Sequence, residues 1–218
     1  MSSQHKAKTG NQGIRTLADF APERVEAGTG LALQDENGRY LVFLAGTRHK
    51  CPPDNNFYAG IGGHREADES WLACAQREAQ EEIGTTVEIV PANKTWLLRH
   101  EQPLKQVILN DSPPPLALYE MIHLPGSPRA GEIYRIVIYQ AQLHKPIGNL
   151  PPDEVQAVIA MTKRHVLTGR ERKQTLAEIV AGGGEVVAGG EGLTAVTKLY
   201  PIGTAHALAE IFHHLKAS

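Results

Sequence analysis

The most regular pattern of apolar and polar positions lies between residues 71 and 83. Stepped at about 100° per residue, Leu72, Ala75, Ala79 and Ile83 fall into one narrow sector. That is the stripe of a helix packed against a core. Glu78, Glu81 and Glu82 share the neighbouring sector, with Glu82 nearest the stripe. Asp68 or Ser70 is expected to cap the start, and Gly84 to end the helix in the left-handed conformation. Elsewhere the chain alternates as strands do. Segments 30–33 and 40–45 flank Asp35-Glu36-Asn37-Gly38, and the Asn-Gly pair predicts a hairpin. Further strands are expected at 86–90, 96–99, 116–123 and 133–142, the last β-branched at Ile136, Val137 and Ile138.

Beyond the apolar run Val155–Met161, segment 164–180 reads as one helix with Leu167, Leu176, Ile179 and Val180 buried. Gly182-Gly183-Gly184 would end it, 185–188 would form a short strand, and 204–216 a final helix. Residues 46–56 are expected to form a loop holding Arg48, His49, Lys50 and Cys51. Pro113-Pro114-Pro115 marks a stiff loop expected to be exposed, and the polar residues 1–13 are expected to be disordered.

Crowding three carboxylates into one and a half turns is locally unfavourable. Like charges three and four apart repel by roughly 0.2–0.5 kcal/mol per pair. In the last turn each also faces the negative end of the helix dipole, at about 0.3–1 kcal/mol when exposed. A divalent cation would reverse both penalties, and hard oxygen ligands suit Mg²⁺, Mn²⁺ or Ca²⁺ rather than zinc.

The full segment 63–85 resembles the Nudix box, G-x5-E-x7-R-E-U-x-E-E-x-G-U, where U is a bulky aliphatic residue. Gly63, Glu69, Arg77, Glu78, Glu81, Glu82 and Gly84 fill all seven fixed positions. At average residue usage a chance match has odds of about one in a million. Ala79 and Thr85 stand where the box prefers larger aliphatics. Gly60-Ile61-Gly62-Gly63 replaces a frequent Pro-Gly-Gly turn, and Asp68 replaces a frequent glycine.

The resemblance implies an α+β fold, an α/β/α sandwich with a mixed sheet. It implies a pyrophosphohydrolase that uses Mg²⁺ or Mn²⁺ on a nucleoside diphosphate linked to another moiety. Glu78 and Glu82 would ligate metal, with Glu81 a further ligand or acting through bound water. The carbonyl of Gly62 matches a ligating carbonyl in the family. Arg77 and Glu69 would orient the glutamates. The general base would be Glu78, or a carboxylate from the later loop, Asp153 or Glu154. Substrate contacts are sought at Arg48, His49, His64 and Glu154. Two other readings stay open. One is a nucleotide-binding or sensing module without turnover. The other is different Nudix chemistry, such as RNA decapping or prenyl diphosphate isomerisation.

Composition adds limits. With 218 residues and a net charge of −2, the chain has length for a real core and no broadly basic surface for nucleic acid. That speaks against decapping. No apolar run is long enough to span a bilayer, no signal-peptide core precedes the domain, and two cysteines make no disulfide framework, so the cytoplasm is the expected compartment. Cys74 lies on the carboxylate face with Trp71 but has no adjacent histidine to make it a nucleophile, and neither it nor Cys51 is placed in an isomerase role. Trp71 is expected to pack under the returning loop rather than stack on a base. Ten histidines do not add up to a zinc site. None pair at ligand spacing near the box, and His213-His214 are helix neighbours pointing different ways. The division expected is 14–162 for the catalytic domain and 163–218 for an extension packed on it. That extension is read as a dimerisation element (giving a homodimer), a substrate lid or simple packing.

Overall fold

The computed structural model describes residues 13–123 and 129–217. The expectation for 1–13 falls, except for Gly13, outside them. The predicted hairpin joins β1 (Ala27–Gln34) to β2 (Tyr40–Ala45). Its turn forms as the sequence requires: Gly38 has φ +72°, and the Asp35 carboxylate accepts from the backbone N–H groups of Asn37 and Arg39 at 2.9 and 2.8 Å. A short α1 (Leu17–Phe20) precedes it, closed by a capping box between Thr16 and Asp19. After β2 come β3 (Asn55–Gly60) and the helix α2 (Trp71–Ile83). The strands β4 (Glu88–Val90), β5 (Thr95–Arg99), β6 (Lys105–Val107), β7 (Ala117–Ile122) and β8 (Ile133–Gln142) follow.

The sheet is mixed. β1 runs parallel to β8, Ala27 opposite Arg135 through to Gln34 opposite Gln142. β7 lies antiparallel to β8, β5 parallel to β7, and β6 forms the edge. On the other side β2 is hydrogen-bonded antiparallel to both β3 and β9 (Val155–Met161). Beyond Gly60 the chain leaves β2 and pairs with β1 instead: Leu31 N–H donates to Ile61 at 2.7 Å and Thr29 N–H to Gly63 at 2.9 Å. Residues 61–63 thus carry the chain from one half of the sheet to the other. Gly60 and Gly62 are forced there by space, since a Cβ on Gly60 would meet the Leu31 carbonyl at 2.6 Å and one on Gly62 would collide with that of Thr29.

Alternation along the strands builds two cores. Leu31, Leu33, Phe43, Ile61 and Val137 face α2, which contributes Ala75, Ala79 and Ile83. Ala32, Val42, Leu44, Tyr58 and Ile138 face the opposite way. They meet the final helix α5 (Gly203–Ala217), which contributes Ala205, Leu208, Ile211 and Phe212. Helix on either side of a mixed sheet is the α/β/α sandwich expected, in the α+β class.

The predicted helix over 164–180 is broken. It divides into α3 (Lys163–Glu171), β10 (Gln174–Thr175) and α4 (Leu176–Ala181). The cause is local: Thr175 and Glu178 form a capping box that starts a new helix, and Thr162 caps the first. Leu176 and Ile179 are buried, but Leu167 is only half-buried and Val180 is exposed. The strand over 185–188 appears as β11 (Glu185–Gly189), beside β9. Strand β12 (Lys198–Pro201), not foreseen, joins β3 in parallel and also pairs β10. The loop at 46–56 gives way to β3 at Asn55. Thr85 does not begin a strand, which starts at Glu88; it is buried behind the helix end. The proline run is not wholly exposed: Pro115 is buried, and its carbonyl accepts from Thr95 Oγ1 at 2.6 Å.

Candidate active site on the acidic helix

Ser70, not Asp68, caps α2, its hydroxyl accepting from the Ala73 N–H at 3.1 Å. Asp68 stands in the left-handed region, φ +62°, which is the conformation a glycine would take there without strain. Gly84 ends the helix at φ +64°. Between them the stripe docks on the sheet as expected, and this sets the depth of each carboxylate. Glu78 and Glu82, next to the stripe, are 8% and 7% exposed. Glu81, one step further round, keeps 56% of its side chain exposed.

Arg77 organises the cluster. Its Nε donates to Glu69 Oε1 at 2.9 Å and its Nη2 to Glu69 Oε2 at 3.0 Å, a two-pronged grip. Nη1 donates to Glu78 Oε1 at 2.8 Å and to Glu81 Oε2 at 2.9 Å. Nη2 also reaches the His64 carbonyl at 2.8 Å, tying the glycine turn to the helix. Arg77 thus ties Glu69, Glu78, Glu81 and the glycine turn together through one guanidinium. The Arg77 guanidinium holds the Glu69 carboxyl below the usual range.

Glu82 is held differently. Its Oε2 accepts from the Gly62 N–H at 2.8 Å. That turn comes close because Gly63 has no side chain; a Cβ there would sit 2.5 Å from Glu78 Oε2. Burial pushes Glu82 up to about 8, only partly offset by the Gly62 N–H, and the fields of Glu78, Glu154 and Glu81 push the same way. Burial likewise raises Glu78, with Arg77 opposing. Among the described residues no three His, Cys, Asp or Glu side chains converge as a ready-made metal cage. Arg77 instead holds Glu78 and Glu81. The donor set nonetheless fits a hard divalent ion: all-oxygen, on one helix face, with two carboxylates buried at a cost in charge that a cation would remove.

The other sequence candidates divide. Arg48 and Glu154 are brought together as an ion pair, and Gly46 N–H donates to the Glu154 carbonyl at 2.8 Å. The field of Glu154 is among those that raise Glu82. His49 packs edge-on to Phe57 with ring centroids 5.1 Å apart. His64 is exposed, 3.8 Å from Glu26, its ring stacked on Tyr134 at 6.3 Å. Trp71 lies under the Arg65 guanidinium, 4.6 Å from its ring centre, as expected of a residue packed beneath the loop. Cys74 is fully buried, accepts from Thr29 Oγ1 at 3.2 Å, and burial pushes its thiol up to about 11, which leaves it inert as a nucleophile. Sequence reasoning missed Tyr134, whose hydroxyl shares with the Gly63 carbonyl the space a Gly28 side chain would take. Nothing in its sequence neighbourhood marks it.

The NUDIX domain model matches residues 25–181. Similar solved structures include a MutT protein from Methanosarcina mazei Go1, at 12% identity over 90% of this chain and 99% of that one, TM-score 0.49. The C. elegans Ap4A hydrolase in a binary complex is 16% identical over 88% and 98%, TM-score 0.47. The E. coli ORF135 protein is 15% identical over 88% and 91%, TM-score 0.45. No curated protein matches the sequence. The match over 25–181 covers most of the 218 residues and contains the whole acidic helix with its turn. The chain belongs to the Nudix family and is a Nudix pyrophosphohydrolase.

Proposed function

We propose that the protein hydrolyses the pyrophosphate bond of a nucleoside diphosphate linked to a second moiety, with Mg²⁺ or Mn²⁺ held by Glu78, Glu81, Glu82 and the Gly62 carbonyl. The supporting observation is the burial of Glu78 and Glu82 side by side beneath the glycine turn. Bound divalent metal supplies charge neutralisation on the phosphoryl oxygens and a more acidic water. The chain's own residues supply position. Arg77 and Glu69 fix the glutamates, and the Gly62 N–H fixes Glu82. Water adds to phosphorus, the bridging P–O bond breaks, and the proton passes to a carboxylate, so that two phosphate monoesters leave. Glu78 is the preferred base. Glu154 is the alternative, and its pairing with Arg48 engages it in this arrangement. Arg48, His49 and His64 are read as phosphate contacts.

We read residues 163–218 as packed on the catalytic domain rather than as a separate unit, supported by the burial of α5 in the second core. The compartment inferred is the cytoplasm. Among the described residues no helix is long and apolar enough to cross a membrane.

The test is Glu82→Gln. Turnover of a panel of nucleoside diphosphate derivatives with Mg²⁺ or Mn²⁺ should fall by about 10²-fold or more, with the circular dichroism spectrum unchanged. Without metal at neutral pH the variant should be the more stable by roughly 1–3 kcal/mol, because no carboxyl that is ionised in the unfolded chain has to be protonated on burial. Near-normal turnover would refute the assignment.

A further inference from the structure

The glycine turn at 61–63 is gripped from both faces of the sheet. On the α2 side it meets the carboxylates. Gly62 N–H donates to Glu82 Oε2 at 2.8 Å, and a Cβ on Gly63 would stand 2.5 Å from Glu78 Oε2. On the α5 side it meets Tyr134. Successive side chains of a strand point to opposite faces. In β8, Val137 packs in the core against α2, while Tyr134, Ile136 and Ile138 pack in the core against α5. In β1 the Thr29 hydroxyl reaches Cys74 of α2, whereas a Cβ on Gly30 would run into Thr204 of α5. Gly28, two residues before Gly30, therefore opens toward α5 as well.

That opening is filled. A Cβ on Gly28 would lie 2.0 Å from the Gly63 carbonyl oxygen and 2.1 Å from the Tyr134 hydroxyl oxygen, so the two oxygens flank one point. The Gly63 carbonyl already accepts from the Thr29 N–H at 2.9 Å, and a carbonyl has a second lone pair to offer. Burial, with smaller pushes from the fields of Cys74, Glu26 and Glu78, holds the Tyr134 phenol above its ordinary range, so it keeps its proton and can donate. The Tyr134 ring meanwhile stacks on that of His64, the residue after Gly63, with centroids 6.3 Å apart and planes 24° from parallel. The His64 carbonyl in turn accepts from Arg77 Nη2 at 2.8 Å. One side chain thus bears on Gly63 and on His64, and each of those bears on the glutamate cluster.

We infer that Tyr134 is a positioning residue for the hydrolysis: its hydroxyl and ring hold the glycine turn against the acidic helix, and so set where Glu78, Glu82 and the Gly62 carbonyl stand. The inference rests on the pyrophosphohydrolase reading and adds to it a residue that acts through the turn rather than on the reacting atoms.

Tyr134→Phe removes the hydroxyl and keeps the ring. Hydrogen exchange followed by NMR on the metal-free protein reads the turn directly. The amides of Gly62 and Thr29, which donate to Glu82 and to Gly63, should exchange about tenfold faster in the variant, while those of α5 stay unchanged. With Mg²⁺ and the best substrate of the nucleoside diphosphate panel, kcat should fall by about tenfold and KM should stay within about twofold. Gly28→Ala drives a methyl between the two oxygens with Tyr134 intact, and should reproduce both effects. If Gly28→Ala does not fold, Tyr134→Phe decides alone. Unchanged exchange at both amides, or faster exchange throughout the protein, overturns the assignment. Faster local exchange with kcat intact overturns it too, as does a change confined to KM. A wild type that hydrolyses nothing in the panel counts against the catalytic reading by itself. Mn²⁺ affinity by electron paramagnetic resonance then takes the place of kcat, and equal affinity in wild type and Tyr134→Phe refutes the positioning role.

Discussion

Arg77 touches Glu69, Glu78 and Glu81 at once, so its effect on catalysis should come through their placement. Arg77→Lys keeps the charge but loses the two-pronged grip on Glu69. A drop of about 10- to 100-fold in kcat, with KM little changed, is the expected result of steady-state kinetics. A change in KM alone would place Arg77 on the substrate instead. Asp68 offers a stability test. It holds φ +62° with a side chain where glycine would be unstrained. Asp68→Gly should raise stability by up to about 1 kcal/mol, read as a Tm increase of a few degrees. The sequence showed both residues to be in the box or beside it. It marked Arg77 through its fixed position in the box, and Asp68 only as a departure from pattern. The depth of each glutamate was legible because a helix has one period. Tyr134 was not, because its neighbours come from segments distant in sequence.

At the scale of elements, strong local signals prevailed. The Asn-Gly hairpin, β8 and α2 formed as read, since turn chemistry, branching and periodicity each agreed with the tertiary setting. The helix expected over 164–180 failed for a reason also written locally. Thr175 accepts from the Glu178 N–H at 3.2 Å while Glu178 accepts from the Thr175 N–H at 2.7 Å, and this reciprocal cap starts a helix where continuity was assumed. Thr175→Ala should cost about 1 kcal/mol of global stability in denaturant titration. No measurable loss would mean that packing of Leu176 and Ile179 alone sets the start of α4. β12 and β6 gave weaker signals. Each is four residues or fewer, and each exists because a neighbouring strand edge accepts it.

Over the whole molecule, two cores share one sheet, and residues beyond the family match complete the second. A pH dependence follows from His206, half-buried between α5 and the sheet. Burial holds its pKa below the ordinary value in the folded state. The unfolded chain takes up that proton first, so this residue's contribution is fully present above about pH 6.5 and is lost as the pH falls below it. Wild-type Tm should therefore decline between pH 7 and 5 more than that of His206→Asn. Parallel declines would show that His206 carries no such linkage.

The crossing at 61–63 has a consequence for how this protein could diversify. Backbone there is packed directly on backbone and on the Glu78 and Glu82 carboxylates, with glycine at Gly60, Gly62 and Gly63. Drift in this stretch is closed off by volume alone, before chemistry is consulted. New specificities must be acquired elsewhere, on side chains whose exchange does not press on backbone.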